Sequence, residues 1–342
     1  MNISKEMLES LKKKEAYDEP VRNIRLIQTH ISWIFLTGDF AYKIKKPVDF
    51  GFLDFTTLEK RKKFCKKEVE INRMFSPEIY IGFLPVNKFG DHSIKINGPG
   101  KTIDYAVKMR QLPQECLMDR LLDKNQIEAK TIEKIVDILI KFYSKTYTYT
   151  DPYSIGSLET VKFNWRENFE QTRPFIGKTI DEEMFKIIKE SVEHFMGKNK
   201  DLFEKRLKEG FIKWCHGDLH SGNIFVVGEK VYIFDAIEFN ERFARSDVAS
   251  DIAFLSMDLD FRHRKYLSET LVRKYVEDTG DIDIEKLLDF YKCYRAYVRG
   301  KVMGFRVNDP NIPDFDKGQA RDTAKIYFHL ATEYAKNLQD HE

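Results

Sequence analysis

Three side chains that could carry out phosphate chemistry lie close together near the middle of the chain. The segment WCHGDLHSGNIFVV, residues 214–227, places Asp218 and Asn223 five positions apart. The chain then enters the apolar run 224–227 at once, and Asp235 follows twelve positions after Asn223, at the end of the apolar stretch VYIF. Polar side chains at fixed spacing on a loop that is anchored by buried strands are typical of functional sites. The pattern therefore indicates chemistry.

Phosphoryl transfer from ATP to a hydroxyl needs this set of groups. One carboxylate accepts the proton of the attacking hydroxyl, while an amide oxygen and a second carboxylate hold the Mg²⁺ that bridges the phosphates. A strand–turn–strand hairpin with its turn at Gly228-Glu229 returns Asp235 to the end where Asn223 lies. Both oxygen ligands then reach one ion. The expected cofactors are ATP and Mg²⁺.

The loop HGDLHSGNIF resembles the catalytic loop of the aminoglycoside phosphotransferase and choline kinase family, the small-molecule branch of the protein-kinase-like fold. The resemblance implies that Asp218 is the catalytic base and that Asn223 and Asp235 are the metal ligands. More narrowly, THISWIFLTGDFAYKIKKPVDFGFLDF is similar to an uncharacterised prokaryotic subgroup that is described only as aminoglycoside-phosphotransferase-like. Antibiotic resistance does not follow from this resemblance.

The resemblance also assigns supporting roles near the loop. His216 and an aspartate in the stretch RSDVASDIAFL are expected to support the loop, and that aspartate is Asp251, with Asp247 as the alternative. His220 either braces the loop by hydrogen bonds or contacts the acceptor.

In the N-terminal part, the stretch FAYKIKK resembles the strand that carries the phosphate-binding lysine of the kinase fold. Lys43 is the expected lysine, although Lys45 lies on the same strand face. Glu68, in the following helix, is the expected partner of this lysine, and Glu70 is the alternative. The adenine-binding hinge is expected at Met109, Arg110 and Gln111, extending to Leu112.

The kinase fold usually covers the phosphates with a glycine-rich loop, which this sequence lacks. The corresponding stretch LIQTHISWIFL has no glycine. The residues that could supply donors instead are Thr29, His30, Ile31 and Ser32.

The fold expected from these patterns is α+β and bilobal, of the protein-kinase-like type. A small β-rich N-lobe over 1–112 would carry the nucleotide-binding sheet and one helix. A larger, mostly helical C-lobe over 113–342 would carry the catalytic loop, the metal site and a helical insertion over the cleft at 151–210. Hydrophobic periodicity predicts helices at 5–16, 57–75, 114–122, 128–147, 155–170, 181–208, 264–278, 284–305 and 317–338.

Composition limits the class of protein and its partners. The 342 residues carry a formal net charge of +2, and the basic runs are offset by nearby acids. We therefore expect no nucleic-acid partner. The N-terminal stretch is polar, no long apolar run occurs and the four cysteines are far apart, which predicts a cytoplasmic protein with reduced thiols and no membrane partner. The oligomeric state stays open.

The acceptor's charge is not decided by the sequence. The helical stretch DFYKCYRAYVRGKVMGFR carries Arg295 and Arg299 on one stripe, and either guanidinium would suit an anionic group on a small-molecule acceptor. Asp258 and Asp260 are acidic candidates for the opposite case. A solvated helix face is the simpler explanation of the stripe.

Three other functions compete with a small-molecule kinase. The first is a hydrolytic metal site made by His216, Asp218 and His220, which leaves Asn223 and Asp235 without a role. The second is a catalytically silent nucleotide-binding module that regulates a partner. The third is a kinase that acts on proteins, but only a dozen residues separate Asp235 from the next helical pattern, too few for a peptide platform.

Overall fold

A computed structural model describes residues 3–90, 93–151, 155–309 and 312–340. The chain divides into two compact units. Unit 1 contains Met1–Arg120 and Asn223–Glu241, and unit 2 contains Leu121–Gly222 and Arg242–Glu342. The short helices α3 (Met118–Asp123) and α8 (Glu241–Ala244) lie where the chain passes from one unit to the other. The boundary between an N-lobe and a C-lobe that the sequence places at residue 112 stays a prediction.

Unit 1 is built on a six-stranded antiparallel sheet with the order β1-β2-β3-β6-β4-β5. Its helices are α1 (Ile3–Leu11) and α2 (Leu58–Phe75). Its strands are β1 (Arg25–Gln28), β2 (Ser32–Leu36), β3 (Phe40–Lys45), β4 (Tyr80–Phe89), β5 (Ser93–Ile96) and β6 (Lys101–Arg110). The sequence also predicts a strand near 92–97, and His92 at its start lies outside the described residues.

Alternation along β3 separates the two faces of the sheet. Tyr42 and Ile44 face a core that includes Met7 and Leu11 of α1. Ala41 faces the other core, with Cys65 and other residues of α2. Lys43 and Lys45 therefore project toward α2, because residues two apart on a strand share a face.

The quoted loop is followed in unit 1 by a separate hairpin. Strand β8 (Ile224–Val227) pairs with β9 (Lys230–Ile233) through the two-residue turn Gly228-Glu229, as the sequence predicts. Gly228 has φ +58°, a conformation that glycine adopts without strain in a tight hairpin turn. The Ser76 hydroxyl donates to the Ile233 carbonyl and ties the hairpin to the end of α2.

Unit 2 is mostly helical. Its longer helices are α4 (Ala129–Lys145), α5 (Leu158–Thr172), α6 (Glu182–Lys198), α7 (Lys200–Lys208), α9 (Val248–Phe261), α10 (Lys265–Thr279), α11 (Ile284–Asn308) and α12 (Asp314–Asp340). A two-stranded sheet joins β7 (Ile212–Trp214) to β10 (Arg245–Asp247). The α+β class is confirmed. Among the residues that the structure describes, no helix is long and apolar enough to cross a bilayer.

The single helix expected over 181–208 is wrong. Asn199, with φ −101° and ψ 23°, ends α6 and begins α7. Its side-chain amide donates to the Phe195 carbonyl, so this asparagine satisfies a helix-terminal acceptor at the break. The expected insertion at 151–210 contains α5, α6 and α7, and its residues 152–154 lie outside the described residues.

Candidate active site

The hairpin in unit 1 brings the two expected metal ligands to one end. Ile224 pairs with Ile233, and the Phe234 N–H donates to the Asn223 carbonyl at 3.1 Å. Asn223 and Asp235 therefore flank the open end of the hairpin. The Asp235 side chain is 43% exposed, so its carboxylate can reach a ligand.

Asp235 has a left-handed backbone, with φ +64°. Two buried side chains fix this conformation. The Tyr80 hydroxyl accepts from the Asp235 N–H at 3.1 Å, and the Asn72 amide oxygen accepts from the Ala236 N–H at 2.9 Å. A non-glycine residue held in this region costs about 1–3 kcal/mol and is often found at functional sites. Nothing in the sequence signalled the roles of Tyr80 and Asn72.

Lys43 lies between two carboxylates of unit 1. Its ammonium donates to Glu68 Oε1 at 2.9 Å and also contacts Asp235 Oδ1. Burial disfavours the charged form of Lys43, but Asp235 and Glu68 outweigh that effect and hold its pKa well above the usual value. The lysine is therefore a fixed positive charge beside the open end of the hairpin.

Glu68 accepts hydrogen bonds from both lysines of β3. Lys45 donates to the second oxygen of Glu68 and also pairs with Glu238. The alternative acid, Glu70, is exposed and lies 3.7 Å from Lys66. Glu238 was not predicted from the sequence, although a glutamate inside the apolar stretch AIEF indicates that a buried partner exists.

The residues expected to form the adenine-binding hinge lie at the end of β6. The Arg110 N–H donates to Ile79, and the Gln111 N–H donates to Asp39. These two backbone donors are therefore not available to a nucleotide. Met109 instead belongs to an apolar cluster with Ala41 and Val107, against which Leu112 packs.

The stretch expected to cover the phosphates is a tight turn. The Thr29 hydroxyl accepts from the Ser32 N–H at 2.9 Å and from the Ile31 N–H at 3.3 Å. The Lys46 ammonium donates to the Thr29 carbonyl at 2.6 Å. Two of the backbone donors suggested by the sequence are thus occupied within the turn, and His30 is exposed at its tip.

In unit 2, two carboxylates of α9 hold the backbone of the quoted loop. Asp251 accepts from the His216 N–H at 2.6 Å and from the Gly217 N–H at 2.9 Å. Asp258, two turns further along the same helix, accepts from the Ser221 N–H at 2.9 Å. Residues seven apart lie on the same helix face, so α9 clamps the loop at two points.

Asp247, the alternative for loop support, and Arg295, an acceptor candidate, lie elsewhere in unit 2. Asp247 caps α9 through the Ala249 N–H and pairs with buried Arg206. Arg295, one of the two expected acceptor-binding arginines, is buried behind the loop and donates to the Gly217 carbonyl at 2.8 Å and the Ser250 hydroxyl at 2.9 Å.

Asp218 itself is partly accessible, with 41% of its side chain exposed. His220 accepts the Gly222 N–H at Nδ1, which leaves Nε2 as its protonated nitrogen, 3.5 Å from Asp218 Oδ2. Burial raises the pKa of Asp218, but His220, then Arg299 and His216, outweigh that effect and lower it below its usual value. Asp218 is therefore an ionised carboxylate at neutral pH.

The described residues offer few kinds of side-chain group that could bind a metal ion. No cluster of three or more His, Cys, Asp or Glu side chains suited to a metal occurs in the part of the chain that the structure describes. An amide oxygen and a carboxylate do occur at the open end of the hairpin. Such a pair of oxygen ligands fits Mg²⁺, which keeps several waters and takes its remaining ligands from substrate phosphates.

Comparison with known proteins gives relatives and a fold. No protein-family model matches the chain. Uncharacterised proteins of Mycobacterium tuberculosis and Mycobacterium bovis are each 30% identical to it over 313 residues, which is 92% of this chain. The chain spans 59% of the length of these relatives.

Solved structures extend the comparison. A choline kinase from Cryptosporidium parvum Iowa II aligns with a TM-score of 0.54 at 13% identity, over 93% of this chain and 90% of the other. An aminoglycoside 2′-phosphotransferase in complex with GDP aligns with a TM-score of 0.53 at 11% identity, over 94% of both chains. The chain has the protein-kinase-like fold. The predicted resemblance is thus confirmed at the level of the fold.

Proposed function

We propose that the protein is an ATP- and Mg²⁺-dependent phosphotransferase that phosphorylates a hydroxyl of a small molecule. The observation that carries the proposal is the hairpin in unit 1, which sets Asn223 and Asp235 at one end, with Lys43 and Glu68 beside Asp235. The neighbours in fold are named as choline kinase and aminoglycoside phosphotransferase, which supports a small-molecule acceptor.

Unit 1 offers groups for the base and for the phosphates of the nucleotide. Leu112 and Phe234 are partly buried and pack against the core cluster of Ala41, Val107 and Met109, so their apolar surfaces would suit a flat purine base. Lys43 would neutralise the phosphates. Asn223 and Asp235 would hold Mg²⁺, which when bound neutralises charge on the phosphates. Because one neighbour was crystallised with GDP, GTP belongs in every assay beside ATP.

The chemical step needs one group of the loop. The acceptor oxygen attacks the γ-phosphorus, the bond from that phosphorus to the bridging oxygen of ADP breaks, and the hydroxyl proton passes to Asp218. A lowered pKa keeps Asp218 ready to accept a hydrogen bond from the hydroxyl. Asp218 therefore both orients the acceptor hydroxyl and accepts its proton during the transfer.

A protein acceptor is disfavoured by the short connection after Asp235. The chain enters α8 at Glu241, forms β10 at Arg245–Asp247 and begins α9 at Val248. This connection contains no extended segment of the kind on which protein kinases bind peptides. A silent nucleotide-binding module is disfavoured because Asp218, Asn223 and Asp235 are all present.

A metabolite panel tests the proposal. Purified protein with MgATP or MgGTP is expected to release nucleoside diphosphate in the presence of one class of sugar, polyol, amino-alcohol or nucleoside, with product mass increased by one phosphoryl group. The Asp218→Asn variant is the matched control. Asp218-dependent labelling of a proteome, with no hit on the panel, would show that the acceptor is a protein. Nucleotide binding with no turnover on either would favour the silent module.

Arg299 is the residue that we assign to the acceptor. It lies one helical turn beyond Arg295, which is committed to the loop backbone. Its guanidinium lies 5.6 Å from the centre of the Tyr327 ring, and that ring is stacked on Phe261. Burial lowers the pKa of Arg299, but Tyr327 and Asp218 outweigh that effect and raise it, so the guanidinium stays charged. A guanidinium fixed in this way suits a phosphate or carboxylate on the acceptor.

We therefore expect Arg299→Met to raise KM for the acceptor that the panel identifies by about tenfold to 100-fold, the cost of one charge-assisted hydrogen bond at about 1.5–3 kcal/mol. KM for ATP should change little. Arg299→Lys should recover part of the loss, because a point charge remains without the planar fork. An equal rise in KM for both substrates would contradict the assignment, as would a panel hit that carries no anionic group.

A further inference from the structure

A second buried ion pair links β3 to the segment after Asp235. Lys45 is 1% exposed and Glu238 is 3% exposed, and their charged groups are in direct contact. Lys45 follows Lys43 by two positions on the same strand face, and Glu238 follows Asp235 by three positions. The strand therefore holds both ends of the segment 235–238, each through one lysine.

The five charged groups form one chain of contacts. Asp235 contacts Lys43, Lys43 and Lys45 each contact one oxygen of Glu68, and Lys45 contacts Glu238. The Lys45 ammonium also lies 5.0 Å from the centre of the buried Phe55 ring. Three carboxylates and two ammonium groups leave one excess negative charge, which a nearby cation would neutralise.

Stability alone is a poor explanation for such a network. Buried ion pairs lose much of their solvation energy, and well-packed apolar side chains often replace them without loss of stability. What the pair gives is a fixed geometry. Lys45 contacts both Glu68 and Glu238, so these two carboxylates would keep one cationic partner if Lys43 turned toward phosphate oxygens and left Asp235.

We propose that the Lys45–Glu238 ion pair is a positioning device that holds the segment 235–238 on β3, so that Asp235 presents its carboxylate to Mg²⁺ while Lys43 binds the phosphates. The proposal rests on the proposed function. Lys45 and Glu238 touch neither the metal nor the nucleotide in this scheme, and they act through Asp235 and Glu68. Tyr80 and Asn72 already hold the left-handed backbone at the start of this segment, and the ion pair adds an anchor at its other end.

The test is a double-mutant cycle read by ATP binding at a series of Mg²⁺ concentrations. Lys45→Met and Glu238→Gln are each expected to raise the Mg²⁺ concentration for half-maximal MgATP binding by about tenfold, while ATP binding without Mg²⁺ changes less than about threefold. The double variant should be no worse than Lys45→Met alone, because that single change already removes the contact with Glu238. Glu238→Asp, which keeps the charge, should lie closer to the wild type.

The matched control is the exposed pair Lys66–Glu70 on α2, whose replacement by Met and Gln should leave Mg²⁺ dependence unchanged. Lower melting temperatures with unchanged Mg²⁺ dependence would overturn the positioning role and leave a structural one. Additive effects in the double variant would also overturn it. If Lys45→Met does not fold, Glu238→Gln and Glu238→Asp still decide the question. Failure of the wild type to bind MgATP would instead refute the proposed function itself.

Discussion

Replacing Asp218 by asparagine is expected to lower kcat by about 10²–10⁴-fold, the usual contribution of a general base. The affinity for MgATP should change less than about threefold. The reason lies in how the loop is held: Asp251, Asp258 and Arg295 contact backbone groups of the loop, so none of these contacts needs the Asp218 carboxylate. Asparagine also keeps the shape of the side chain, so the variant loses only the negative charge and the basicity of the carboxylate.

Single-turnover kinetics, calorimetric titration with MgATP and a melting curve together check this prediction. A variant that retains kcat within about threefold of the wild type would show that Asp218 is not the base. A variant that loses nucleotide affinity in proportion to kcat would show that the loop has been displaced. Glu193→Gln, at an exposed carboxylate of α6 that lies 4.0 Å from the Lys189 ammonium, controls for the loss of one acidic group from unit 2.

The pH dependence of the reaction follows from the same carboxylate. The pKa of Asp218 is lowered from its usual value of 3.8, so the ionised form is present at every pH above that value. The contribution of Asp218 should be complete there and should be lost only as the pH falls through its lowered pKa. An acidic limb of kcat between about pH 5 and 7 would have to come from another group, such as a histidine near its ordinary pKa.

The sequence predicts the parts of the site that are fixed by covalent spacing. Two apolar runs that are joined by a two-residue turn predict a single hairpin. In the structure that hairpin brings Asn223 and Asp235 to the same end. Loop support by Asp251, or by Asp247, was expected only from the resemblance of RSDVASDIAFL to the corresponding family segment. In the structure Asp251 accepts hydrogen bonds from the His216 and Gly217 N–H groups.

Partners that are chosen by tertiary contacts could not be predicted in the same way. Lys43 and Lys45 share a strand face, so alternation alone could not choose between them, and in the structure Glu68 contacts both. Tyr80 and Asn72 support Asp235 from more than 150 positions away, and no local pattern encodes such a contact. The three-residue strands β7 and β10 are too short for any periodicity to reveal.

A fold shared at 11–13% identity does not transfer residue roles. The roles proposed for Asp218, Asp235 and Lys43 depend instead on their own contacts and on the chemistry of their side chains. This is why each role needs a variant that changes charge while it keeps shape.

Replacing Asp235 by asparagine should abolish the Mg²⁺ dependence of ATP binding and lower kcat by about 10³-fold or more, since a bound metal contributes several kcal/mol to the transition state and each 1.36 kcal/mol is tenfold in rate. Asparagine is the right replacement for this test. Like aspartate it tolerates the left-handed conformation at φ +64°, whereas alanine would add backbone strain of about 1–2 kcal/mol. The change therefore removes the charged ligand and leaves the turn intact.

Binding of ATP without Mg²⁺ separates a lost metal ligand from a damaged site. Asp235 contacts Lys43 in this structure, so its carboxylate competes with phosphate for the same ammonium. Removing that charge should leave Mg²⁺-free ATP affinity unchanged or raise it, while the gain normally produced by Mg²⁺ disappears. Glu229→Gln, at the turn of the same hairpin, should behave as the wild type does in calorimetric titrations. If Asp235→Asn binds MgATP as tightly as the wild type, with the same Mg²⁺ dependence, then Asp235 holds no metal and its contact with Lys43 is its whole role.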